Sequence, residues 1–145
     1  KNASSDVAPC VRVFLEDGSD TGIAFHGVPS GHEFTTFVIS LYNASGPGQQ
    51  PDEQTIQEIK EIKKSVDMKI LVTLSCTMCP DLVIACQRIA TLNPNIRAEV
   101  YDIQHFDELR KKYNVMSVPC LVINDDKVSF GKKNINQVLD LIKQI

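Results

Sequence analysis

Apolar positions along the chain fall into short runs with two different periods. Residues 11–15 and 22–26 carry the β-branched and aromatic side chains of strands, and the turn formers of 17–20 stand between them, which predicts a hairpin. Phe34, Phe37, Val38, Leu41 and Tyr42 then recur at i, i+3, i+4, i+7 and i+8, the spacing of an amphipathic helix that buries one face. Ser30 stands three positions before Glu33 and offers that helix a capping box. Residues 46–52 are turn formers and polar groups, a linker between two patterned regions.

Beyond the linker, Ile56, Ile59, Ile62 and Val66 mark a helix that starts near Asp52, with Glu58, Lys60, Glu61, Lys63 and Lys64 on its solvated side. A strand at 69–74 follows. Cys79, Leu82, Val83, Cys86, Ile89 and Ala90 repeat with helical spacing until Asn93-Pro94 ends the run. Residues 97–103 read as a strand, and Phe106, Leu109 and Tyr113 as one face of a short helix. Two more strands, 121–123 and 128–130, flank a turn at Asn124-Asp125-Asp126, and Ile135, Val138, Leu139, Ile142 and Ile145 give a closing helix. From Lys69 the order is β-α-β-α-β-β-α, which right-handed crossovers fold into a mixed α/β sheet with helices on both faces. Ala8-Pro9-Cys10 and Val118-Pro119-Cys120 each open the same strand-turn-strand-helix order, so the chain reads as an internal repeat whose first copy lacks its opening half. The expected division is 1–50 for the partial first unit, 51–66 for a linker helix and 67–145 for the complete unit.

Composition narrows the class without changing this layout. The 145 residues are 43% hydrophobic and 23% charged, an ordinary globular composition long enough to build a core. Fifteen basic against eighteen acidic residues give a net charge of −3, so the basic surplus that nucleic acid demands is missing. The apolar runs are too short for a membrane span, and no secretory leader pattern opens the chain, so a cytoplasmic protein is expected.

The chemistry lies in the cysteines. Cys10, Cys86 and Cys120 stand apart, but Cys76-Thr77-Met78-Cys79-Pro80 places two thiols where a strand turns into a helix. Partial positive charge and unpaired N–H groups at a helix start favour a thiolate, the species that attacks disulfides. Cys76 is then the nucleophile and Cys79 the resolving thiol. Half a zinc site would need two further ligands, yet no second C-x-x-C is present, and His26, His32 and His105 do not cluster with the pair. Those histidines read as surface or capping residues. Cys86 reads as a small buried hydrophobe on the helix stripe.

Strand, C-x-x-C-Pro and helix, then Val118-Pro119 ahead of a buried strand, resemble the thioredoxin fold. More narrowly, residues 74–81, Leu92-Asn93-Pro94 and residues 114–119 resemble the N-terminal domain of the alkyl hydroperoxide reductase flavoprotein, and residues 19–25 and 31–35 resemble its degenerate first thioredoxin unit. The resemblance implies a tandem thioredoxin-fold module, its first unit redox-inactive, that takes electrons from a thioredoxin-reductase-like flavoprotein and passes them to a peroxiredoxin disulfide. FAD and NADH would belong to the flavoprotein part, with no cofactor or metal on this chain. It further implies that Pro119 is cis beside the dithiol, so that Ser117, Val118 and Pro119 offer a backbone edge to the substrate. For Glu33 it implies a buried carboxylate that takes the resolving thiol's proton, a role compatible with the capping box. Thr77-Met78 departs from the dipeptide expected between the cysteines. Two other readings of the residues remain: a free-standing thioredoxin- or glutaredoxin-like reductant, and a scaffold that binds a partner while its cysteines stay idle.

Overall fold

The computed structural model describes residues 9–145; Ala8, part of the first Ala-Pro-Cys signature, lies outside the described residues. β1 (Cys10–Phe14) and β2 (Asp20–His26) pair antiparallel as the predicted hairpin. A single 3-10 turn (Gly31–Glu33) leads into α1 (Phe34–Ser45), and α2 (Glu53–Lys60) follows the linker. The remaining order is β3 (Val66–Val72), α3 (Cys79–Leu92), β4 (Ile96–Asp102), α4 (Asp107–Lys112), β5 (Cys120–Ile123), β6 (Lys127–Phe130) and α5 (Ile135–Lys143). The strands form one six-stranded sheet in the order β1-β2-β4-β3-β5-β6. β2 runs parallel to β4 and β4 parallel to β3, whereas β5 is antiparallel to both β3 and β6. The first hairpin thus extends the sheet of the complete unit rather than forming one of its own.

One face of this sheet holds the main core, where Ile23, Phe25, Met68, Ile70, Val100 and Leu121 meet Leu82, Cys86 and Ile89 of α3 and Val138 and Ile142 of α5. The other carries a smaller cluster in which Leu71, Cys120 and Val122 pack under Tyr113 and Leu109. The repeat has a structural counterpart. Gly27 N donates to Pro9 O at 2.8 Å, and Gly131 N donates to Pro119 O at 2.9 Å, so the same bond closes both hairpins at the residue after the second strand.

Three expectations change. Most of the predicted apolar face of α1 points outward: Phe34, Val38, Leu41 and Tyr42 are exposed, Phe37 is half-buried against the core, and the fully buried positions are Thr36, Ser40 and Asn43. α1 lies against α3, and its small polar residues permit that approach because their own polar groups are satisfied locally. Thr36 Oγ1 lies 2.9 Å from Glu33 O and gives its proton to the Glu33 carboxylate, the Ser40 hydroxyl donates to Phe37 O at 2.6 Å, and Asn43 Oδ1 accepts from Gln49 N at 2.8 Å. The helix expected over 51–66 ends at Lys60. Asn93, at the end of α3, donates through Nδ2 to Ile59 O at 2.7 Å and Ile62 O at 2.9 Å, which satisfies the carbonyls a helix end leaves open. Val66 is then released to start β3 opposite Ile96. The Ser30–Glu33 capping box does not form: the Ser30 hydroxyl bonds Val28 O at 3.3 Å, and the Glu33 side chain turns inward.

Candidate functional site

Cys76 and Cys79 are joined by a disulfide with their Cα atoms 5.6 Å apart. The loop after β3 carries Cys76, which is half-buried and turned back by a bond from its N–H to Thr73 O at 3.2 Å. Cys79 is the first residue of α3 and fully buried. Only one sulfur of the pair is therefore open to an incoming partner. No side chain caps the α3 N-terminus, and Pro80 lies in its first turn. The free N–H groups and the helix dipole remain available to a thiolate at Cys76.

The Val118–Pro119 peptide is cis. Leu71 pairs with Cys120, so the register carried one step further sets Pro119 across from Val72, the last residue of β3 and the start of the loop to Cys76. Pro119 is buried, Val118 half-buried and Ser117 exposed, a backbone edge that opens outward away from the core. Met78 and Met116 flank these two stretches and are 55% and 78% exposed. Neither was singled out by sequence pattern; their signal is position, one between the cysteines and the other just before Ser117-Val118-Pro119. Flexible thioethers of this kind adapt to varied apolar surfaces.

The first unit reaches the site through residues 31–33. Gly31 approaches Leu74 so closely that a side chain would collide with Leu74 O, and His32 N donates to that same oxygen at 3.1 Å. Glu33, next in line, is fully buried in the turn that packs against α3. Its Oε2 accepts from the Thr36 hydroxyl at 2.5 Å, and its Oε1 has no partner. Burial raises its pKa above the ordinary carboxylate value, and the Thr36 bond opposes that rise only in part. Thr36, three residues on, is the partner that sequence reading missed.

The other cysteines and histidines take structural positions. Cys86 is buried in the core, and burial raises its thiol pKa well above the ordinary value. Cys120 is pushed up to about 11 by the same cause, with the Lys133 charge opposing. Cys10 is half-buried at the head of β1. His26, expected at the surface, is instead buried: its ring stacks on Tyr101 at 4.1 Å and its Nε2 meets Glu99 Oε1 at 2.8 Å. Among the described residues no group of three or more His, Cys, Asp or Glu stands close enough to hold a metal ion. Among the same residues no helix is long and apolar enough to cross a membrane.

A six-stranded mixed sheet with a C-x-x-C disulfide at the start of a helix and a cis-proline ahead of β5 defines a dithiol-disulfide oxidoreductase module. The thioredoxin-domain profile matches residues 66–143, and the chain belongs to that family. Its nearer likeness is to the N-terminal thioredoxin-fold domain of the alkyl hydroperoxide reductase flavoprotein AhpF. The NTD_N/C domain of AhpF from Enterococcus faecalis superposes with a TM-score of 0.89 at 38% identity, over 94% of this chain and 65% of that one. The AhpF component of alkyl hydroperoxide reductase from Pseudomonas aeruginosa is 34% identical over 122 residues, which are 84% of this chain and 23% of that protein. A protein disulfide oxidoreductase from Aeropyrum pernix has a TM-score of 0.85 at 28% identity, over 96% of this chain and 60% of that one. The chain spans about a quarter of the length of the curated relatives it matches.

Proposed function

We propose that the chain relays electrons from a thioredoxin-reductase-like flavoprotein to the disulfide of a peroxiredoxin, as the redox module of an NADH-dependent peroxide reductase system in the cytoplasm. What carries this reading is the Cys76–Cys79 disulfide with one sulfur reachable and the other buried at the head of α3. In the reduced module the Cys76 thiolate attacks one sulfur of the partner's disulfide. The bond from Cys76 to the partner forms, the partner's S–S bond breaks, and the departing sulfur leaves as a thiolate that takes a proton from water. Cys79 gives its proton to the Glu33 carboxylate and attacks Cys76 Sγ. The mixed disulfide breaks, the partner's second sulfur leaves as a thiolate that is protonated in turn, and the Cys76–Cys79 disulfide forms. Two electrons have then passed to the partner, whose disulfide has become two thiols.

Each group has a task in that sequence. The raised pKa of Glu33 brings it nearer to that of a thiol, which suits it to accept the Cys79 proton and later to return it. Ser117, Val118 and Pro119 present the backbone edge along which the partner peptide lies, and Met78 and Met116 give its side chains apolar contact. The flavoprotein part carries FAD, uses NADH and presents its own dithiol to re-reduce Cys76–Cys79. Stopped-flow mixing of the reduced chain with an oxidised peroxiredoxin tests the reading. Rapid transfer that Cys76→Ser abolishes is expected, together with a Cys76 thiol that titrates below the usual value of about 8.5. Full transfer by Cys76→Ser, or an undepressed thiol pKa, refutes it.

A further inference from the structure

A cavity of about 330 Å³ lies between α3, the turn leading into α5 and the segment just ahead of α2. Ile84 and Ile135 give it apolar walls, and Arg88, Lys132 and Lys133 bring three cations to it against the single carboxylate of Asp81. Asp81 is already matched, since Lys132 Nζ stands 3.2 Å from it. Lys133 Nζ donates only to carbonyl oxygens, Phe130 O at 2.7 Å and Gly131 O at 3.2 Å.

Arg88 is the more unusual group. It is 6% exposed and no carboxylate reaches it; its guanidinium makes two long bonds, Nη1 to Thr91 Oγ1 at 3.3 Å and Nη2 to Pro47 O at 3.4 Å. Its Nε–H is buried and donates to nothing. Gly48, at a φ of +72° that other residues rarely adopt, brings the backbone directly against the guanidinium. Burial pulls its pKa below the ordinary arginine value. A buried cation without a counter-ion is costly, and here two unmatched cations share one cavity on a chain whose net charge is −3. The N-terminus of α5 opens on the same wall and adds positive potential.

We propose that this cavity binds a small carboxylate with an apolar body, its charged end between Arg88 and Lys133 and its apolar end against Ile84 and Ile135. Ligand sites run from about 300 to 1,000 Å³, so the volume limits the occupant to a small molecule. The disulfide chemistry uses none of these four residues, so the site is separate from the dithiol.

The test titrates 4-phenylbutyrate into the isotopically labelled, oxidised chain and follows amide shifts by NMR. Saturable shifts at Ile84, Arg88 and Ile135 are expected, with affinity at least about tenfold weaker in Arg88→Met and in Lys133→Met. If Arg88→Met loses its amide dispersion, Lys133→Met decides alone. The uncharged 4-phenylbutyramide should bind far more weakly, and inorganic sulfate, which has no apolar body, should also bind more weakly. An absence of saturable shifts, affinity unchanged in the variants, or amide or sulfate binding as tight as that of phenylbutyrate overturns the assignment.

Discussion

Helices α1 and α5 close two copies of the same strand-turn-strand-helix run, and they bury opposite kinds of residue. α5 turns Val138, Leu139 and Ile142 into the core. α1 turns Thr36, Ser40 and Asn43 inward and leaves Phe34, Val38, Leu41 and Tyr42 in solvent. The hairpins ahead of them differ in the same way. β5 is bonded on both edges, to β3 and β6, whereas β1 pairs with β2 alone among the described strands. A groove of about 620 Å³ runs between β1 and α1, with Val13, Leu15, Leu41 and Ala44 among its walls. In the complete unit, β3 and α3 fill the places that the first unit leaves open. An amphipathic helix is thus defined by its neighbours as much as by its own pattern, and α1 has been claimed by α3 on its polar side.

The comparison can be broken at several points, the redox chemistry first. Cys76→Ser should reduce disulfide-reduction activity to background, and Cys10→Ser, at the corresponding Pro-Cys of the first unit, should leave the rate unchanged. Loss of activity in Cys10→Ser would show that the first unit takes part in the chemistry. Next comes stability. Ile142→Ala in α5 should cost about 2–5 kcal/mol in urea denaturation, and Leu41→Ala in α1 no more than about 0.5 kcal/mol. Equal costs would mean that the α1 stripe is covered. Ser40→Leu makes the α1 inner face more apolar, yet overpacking against α3 should destabilise by about 1–3 kcal/mol; a stabilised variant would place that face in solvent.

The smallest expected effect concerns Glu33. Its folded-state pKa is raised, so its protonated form is the one folding favours. That contribution is complete below the ordinary value of 4.5 and is lost as the pH climbs through the folded value. Glu33→Gln should therefore gain on the parent chain from pH 4 towards pH 8 in urea midpoints measured side by side. A difference independent of pH would place Glu33 in water.

Much of this architecture was legible in order and spacing. Strand-to-helix placement of Cys76 and Cys79, the stop at Asn93-Pro94 and the repeated Pro-Cys openings are local signals, and local signals survive folding. What stayed hidden depends on distant partners. The end of α2 is set by Asn93, more than thirty positions further on. The direction of α1 is set by α3. Glu33 satisfied a capping pattern as a string of letters, but a carboxylate packed against α3 is drawn inward, and only the Thr36 hydroxyl three residues later betrays the choice. Arg88 lay among the polar positions of an amphipathic helix, and nothing in its neighbours along the chain marks it as a buried cation.

The parallel pairing of β2 with β4 runs from Ile23 opposite Ala98 to His26 opposite Tyr101. Those bonds weld the half-unit's sheet to that of the complete one, and the bond from His32 N to Leu74 O ties the turn that carries Glu33 to the loop that leads to Cys76. If the chain relays electrons as proposed, it turns toward donor and acceptor as one slab, carrying Glu33 and both sulfurs together.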